Sequence, residues 1–105
     1  MKLDRIEKLK DFLKQNPADS FVQHALALEY IKEGDDVQAR KLFESVINQE
    51  PSYVGTYYHL AKLLERNNNI EAAIKIYEKG MEEAKKAGDN HSLGELRGAY
   101  EELTF

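Results

Sequence analysis

The chain has 105 residues, 42% of them hydrophobic and 32% charged, with a formal net charge of -4, enough for one domain with a modest core. Zero cysteines exclude disulfides and thiolate metal sites, and Lys/Arg residues interleaved with Asp/Glu speak against nucleic acid as a partner. No apolar run approaches a membrane span and Met1-Lys2-Leu3-Asp4 holds no apolar signal-peptide core, so the expectation is a cytoplasmic protein without membrane contact.

The first predicted helix covers about residues 2–15, where Leu3, Ile6, Leu9, Phe12 and Leu13 recur at helical spacing and Pro17 ends the run. The second covers about 19–33. Its apolar residues Phe21, Val22, Ala25, Leu26, Ala27, Leu28, Tyr30 and Ile31 surround the axis almost completely, and a helix apolar all round is expected to be buried all round. Gly34-Asp35-Asp36 reads as a helix stop followed by an N-cap. The third helix, about 35–49, gathers Ala39, Leu42, Phe43 and Val46 on one face. Pro51 cannot continue it, and Ser52 is the candidate cap for the fourth, about 52–67. That helix splits cleanly, with Tyr57, Leu60, Ala61 and Leu64 facing a core and Tyr58, Lys62, Glu65 and Arg66 left outside. Asn67-Asn68-Asn69 makes the next turn, and Asn68 suits a left-handed backbone. The fifth helix, about 70–87, carries Ala73, Ile76 and Tyr77 and runs on to Gly88. The sixth, about 90–103, lines one face with Leu93, Leu96, Tyr100 and Leu103. Gly94 and Gly98 weaken it, so residues 91–105 are expected to fray.

The middle four helices are one plan written twice, 34 residues apart. Leu26-Ala27 recurs as Leu60-Ala61, Ala39 as Ala73, Phe43 as Tyr77, and Pro17 precedes Pro51 by the same offset. A fixed period of this length implies stacked supersecondary units rather than one closed globule. Ala27 and Ala39 let two helix axes approach, while Tyr30 and Phe43 fill the space beside them.

These residues, with Gly34-Asp35, Tyr57, Leu64 and Tyr77, resemble the tetratricopeptide repeat family over about residues 20–87. The resemblance implies an all-α fold: an α-solenoid of antiparallel helix pairs forming a right-handed superhelix of about six helices. Residues 1–105 then form a single domain, with a capping helix at 2–17, repeats at 20–53 and 54–87, and a second capping helix at 90–103. Several positions depart from the family pattern. Gln23 replaces a bulky aromatic, Val46 and Gly80 replace a small alanine, Lys85 replaces the closing proline, and Arg97 falls at the small position of Ala61. In the family, the first helix of each pair lines a concave face that binds extended peptides or partner helices. The best-known such groove, a carboxylate clamp, needs Lys and Asn at the positions of His24 and Leu28 and another Asn at His59, so that specificity is not implied.

The expected function is a protein–protein interaction module, an adaptor or scaffold. Phe21, Leu28, Ile31 and Tyr58 are its expected apolar floor, and His24, Lys32, Lys62, Glu65 and Arg66 its polar rim, suited to a peptide or helix with apolar anchors and some acidic character. Two other occupants stay open: a second copy of the chain, giving a homodimer or a subunit of a larger assembly, or the chain's own capping helices. His24, His59 and His91 are the only histidines and none has metal-ligand spacing, so no metal or cofactor is expected. With no Gly-rich phosphate loop and no cysteine nucleophile, no enzyme activity is expected.

Overall fold

The computed structural model describes residues 2–105, with side chains described from Arg5 onward. Leu3, the first residue of the predicted apolar stripe, therefore lies outside the described side chains. The described residues form six helices, α1 (Lys2–Gln15), α2 (Ser20–Lys32), α3 (Asp36–Gln49), α4 (Gly55–Arg66), α5 (Ile70–Ala87) and α6 (Asn90–Thr104), and no strand. The largest departure from the predicted spans is at α4, which starts three residues late, at Gly55 rather than about 52. Pro51-Ser52-Tyr53 forms a turn there, and Val54 occupies the cap position without a side-chain bond. Ser52 is thus not the cap. Thr56 N–H and Tyr57 N–H instead donate to the carbonyls of Tyr53 and Val54, at 3.4 and 3.3 Å.

The chain divides between Glu50 and Pro51 into two compact units. In the first, α2 packs on both α1 and α3. Its core is Ile6, Val22, Leu26, Ala27, Ala39, Phe43 and Val46. Phe12, counted in the apolar stripe of α1, is 47% exposed and lies outside it. In the second unit α5 packs on both α4 and α6, and α4 also touches α6. Tyr57, Leu60, Ala61, Leu64, Ala73, Tyr77 and Leu96 are buried there.

The helix turns explain why neighbours are antiparallel. Asp35 N–H donates to Tyr30 C=O at 2.8 Å and Gly34 N–H to Ile31 C=O at 3.0 Å, which is the Schellman closure. Asn69 to Leu64 and Asn68 to Glu65 repeat it at 2.8 and 2.9 Å, and Asp89 to Ala84 and Gly88 to Lys85 repeat it at 2.9 and 3.1 Å. Each closure needs one left-handed residue, and φ is +80° at Gly34, +66° at Asn68 and +69° at Gly88. Asp19, Asp35 and Asp89 then cap the helices that follow, accepting from the N–H groups of Val22, Gln38 and Ser92.

Candidate functional site

Both ends of α2 are held by side-chain contacts. At its start, the Gln23 side-chain amide donates to Pro17 C=O at 2.7 Å, and Ser20 Oγ donates to Glu50 at 2.7 Å. Gln49, at the end of α3, reaches Ala18 C=O, Ser20 Oγ and Gln23 Oε1 at 2.9, 3.1 and 3.2 Å. Tyr57, 34 residues after Gln23, donates its hydroxyl to Pro51 C=O at 2.6 Å. The repeat thus preserves a bond to the proline carbonyl while exchanging amide for phenol. Further along α2, buried Glu29 is balanced by Arg5 at 3.4 Å and Lys32 at 3.2 Å.

With Val22, Leu26, Ala27 and Glu29 turned inward, the opposite stripe of α2 is left for solvent. Phe21 is 70% exposed, and Leu28 and Ile31, seven and ten residues on, are half-buried. His24 lies between them in register, its ring 5.5 Å from that of Phe43. Within the chain α1 and α3 cover only part of the circumference of α2 and leave Phe21 uncovered. Lys32, expected as a rim cation, is committed to Glu29.

On α4, Tyr58 is half-buried, with its ring edge against His59 at 5.8 Å and the Lys62 ammonium 5.7 Å from its centroid. Lys62 also approaches Glu65 at 3.7 Å. The Tyr77 hydroxyl of α5 donates to the same Glu65 carboxylate. Burial, followed by this bond, pushes the Tyr77 hydroxyl well above its usual 10. Glu65 is therefore an internal tie between α4 and α5, and Arg66 is exposed at the end of α4.

The second unit also contains a cleft of about 220 Å³ that no local motif announces. Val54 at the cap of α4 and Gly55, Tyr58 and His59 within it form one wall, and Ser92, Glu95 and Leu96 of α6 the other. A Cβ built on Gly55 meets nothing within 4 Å, so the wall is open at that point. Burial lowers the His59 imidazole pKa below its usual 6.5, against an opposing pull from Glu95. His91 Nε2 stands 3.7 Å from Glu95 on the outer side of α6. No group of three or more acidic or imidazole side chains among the described residues is placed to hold a metal ion. Nor is any helix of the described residues long and apolar enough to cross a membrane.

A tetratricopeptide repeat model matches residues 30–96. The tetratricopeptide repeat domain protein of Salinibacter ruber, solved in solution, is 41% identical over 83% of this chain and 88% of its own, with a TM-score of 0.80. The TPR2B domain of yeast Sti1, solved as a complex with pHsp70, superposes on 98% of this chain and 82% of its own with a TM-score of 0.89, at 14% identity. Mouse interferon-induced protein with tetratricopeptide repeats 3 is 20% identical over 76 residues. Those residues are 72% of this chain but 19% of the mouse protein, so the chain spans a small part of that relative's length.

Proposed function

This chain belongs to the tetratricopeptide repeat family, and we propose that it is a protein–protein interaction module, an adaptor or scaffold of the cytoplasm, without catalytic function. Its partner is a peptide or helix that binds the first helices of the repeats. The repeats are residues 20–53 and 54–87, between capping segments at 2–17 and 90–103 that hold α1 and α6. On α2 the contact residues are Phe21, His24, Leu28, Ile31 and Lys32. On α4 they are Tyr58, Lys62 and Arg66, with Glu65 holding the helix to α5 behind them.

The observation that carries this reading is the outer stripe of α2. Phe21 stands 70% exposed in line with half-buried Leu28 and Ile31. Exposed apolar stripes of this kind mark interaction sites. The TPR2B domain of yeast Sti1, solved in complex with pHsp70, gives a precedent for a protein ligand; the carboxylate-clamp residues known in the family are absent here at His24, Leu28 and His59.

The test uses peptides selected from a random twelve-residue display library on the full 105-residue chain. Selected peptides are expected to shift the amide resonances of α2 and α4. Leu28→Glu, checked for native helicity by circular dichroism, is expected to weaken them about tenfold or more, the cost of placing a charge against an apolar anchor. Peptides that shift neither helix, or that bind Leu28→Glu unchanged, defeat the reading. A sedimentation mass of twice the monomer, lost in Leu28→Glu, assigns the stripe to a second copy instead.

A further inference from the structure

Two of the three rim cations first expected to favour an acidic partner each have a carboxylate neighbour on their own helix. Lys32 is 3.2 Å from Glu29, and Lys62 lies between Glu65 and the Tyr58 ring. The cleft between α4 and α6 offers the opposite chemistry. Ser92 Oγ donates its proton to Asp89 at 2.7 Å, so the face it turns to the cleft is an acceptor. Glu95 contributes a carboxylate. The His59 ring lines the same cleft, where burial disfavours its charged form. Asp89, at the cap of α6, holds its carboxyl below the usual range through two bonds from Ser92 and keeps a second negative charge beside the acceptors.

The other charged groups near these walls do not cancel this bias. Lys62 is one turn beyond Tyr58, with the Glu65 carboxylate of its own helix 3.7 Å away. His91 reaches Glu95 only as an exposed pair within one helix, at 3.7 Å, a contact of small worth. About 220 Å³ of space falls below the roughly 300–1,000 Å³ of small-molecule pockets and holds a single long side chain. The Tyr58 ring and the side chains of Val54 and Leu96 supply apolar wall for an aliphatic stem.

Resting on the interaction reading above, we infer that this cleft receives a lysine or arginine side chain of the bound peptide, its head paired with Glu95 and Ser92. The partner is thus a peptide with apolar anchors and a basic residue. Arginine has donors enough for both the carboxylate and the hydroxyl oxygen.

The experiment compares the same display selection on wild-type chain and on Glu95→Gln. Peptides selected on wild type are expected to carry a Lys or Arg, to shift the amides of Gly55, His59, Ser92 and Glu95, and to bind Glu95→Gln about three- to fivefold more weakly, the range of a partly exposed ion pair. Replacing that basic residue by norleucine is expected to cost as much on wild type and nothing further on Glu95→Gln. Peptides that shift α2 and α4 but lack a basic residue, or are indifferent to Glu95→Gln, overturn this inference and leave the interaction module standing. Peptides that shift neither helix overturn both.

Discussion

Replacing Gly80 by alanine adds one methyl group where α5 passes Tyr57. A Cβ built there lies 2.6 Å from Tyr57 Cβ, 3.0 Å from its Cγ and 3.2 Å from Leu96 Cδ1. Carbon atoms pack best at about 3.5–4.0 Å, so the shortfall against Tyr57 is about 1 Å. The nearest atom is the root of the tyrosine side chain, not its flexible end. Moving the ring also strains the 2.6 Å bond from its hydroxyl to Pro51 C=O. Overpacking of this kind costs about 1–3 kcal/mol, and a weakened hydrogen bond about 1 kcal/mol more. Against this, alanine improves on glycine in a helix by about 1 kcal/mol. The net expectation is a loss of about 1–3 kcal/mol, a fall in melting temperature of roughly 4–15 °C for a chain of this size. Gly98→Ala is the control, since nothing lies within 4 Å of a Cβ built at Gly98, in the interior of α6. It gains helix propensity with no clash and is expected to raise stability by about 0.4–1 kcal/mol. Urea denaturation followed by helical ellipticity reads both. If Gly80→Ala stabilises as Gly98→Ala does, the close approach of α5 to Tyr57 is wrong.

Asn68→Ala places a β-carbon without a local hydrogen-bonding group at φ +66° and is expected to cost about 1 kcal/mol, whereas Asn68→Gly is expected to be neutral or slightly stabilising; equal stability of the two variants in urea contradicts the left-handed turn. Burial, then Glu83, pushes the Tyr57 hydroxyl from 10.0 up to about 12, and Tyr77 is shifted the same way. Both protons are held more tightly in the folded chain, so this contribution to stability is complete below about pH 10 and is lost as pH rises through about 12. Absorbance titration at alkaline pH is expected to show these two phenols ionising only as helicity is lost, and ionisation near pH 10 with intact helices rules this out. Gly94 and Gly98 are expected to leave the amides of residues 91–105 exchanging faster than that of Ala73, and comparable protection at the two places refutes the fraying of α6.

Much of the fold was legible because its signals are local. Three turns need one left-handed residue each, and Gly34, Asn68 and Gly88 stand where the helical pattern breaks. Asp35 caps α3 as its position after Gly34 suggests. Ser52 misled, because a serine after a proline is equally at home in a turn, and α4 begins only at Gly55. The candidate site was half legible. The outer stripe of α2 follows from seven-residue spacing, so Phe21 and Leu28 were visible as a pair. The fate of Glu65 was not, since its partner Tyr77 lies on the next helix. Nor was the α4–α6 cleft, whose walls lie more than thirty residues apart in the chain.

Sequence alone determined the helix order, the turns at Gly34, Asn68 and Gly88 and the packing residues of the repeat, because each depends on groups within a turn or two of one another or on the 34-residue register. Tertiary structure decided which charges remain available. Side chains on different helices choose partners in three dimensions: Arg5 of α1 is drawn to Glu29 of α2, and Tyr77 of α5 to Glu65 of α4. It also decided the fit of Gly80 to Tyr57, a departure that no spacing rule explains and that close approach of two helices requires.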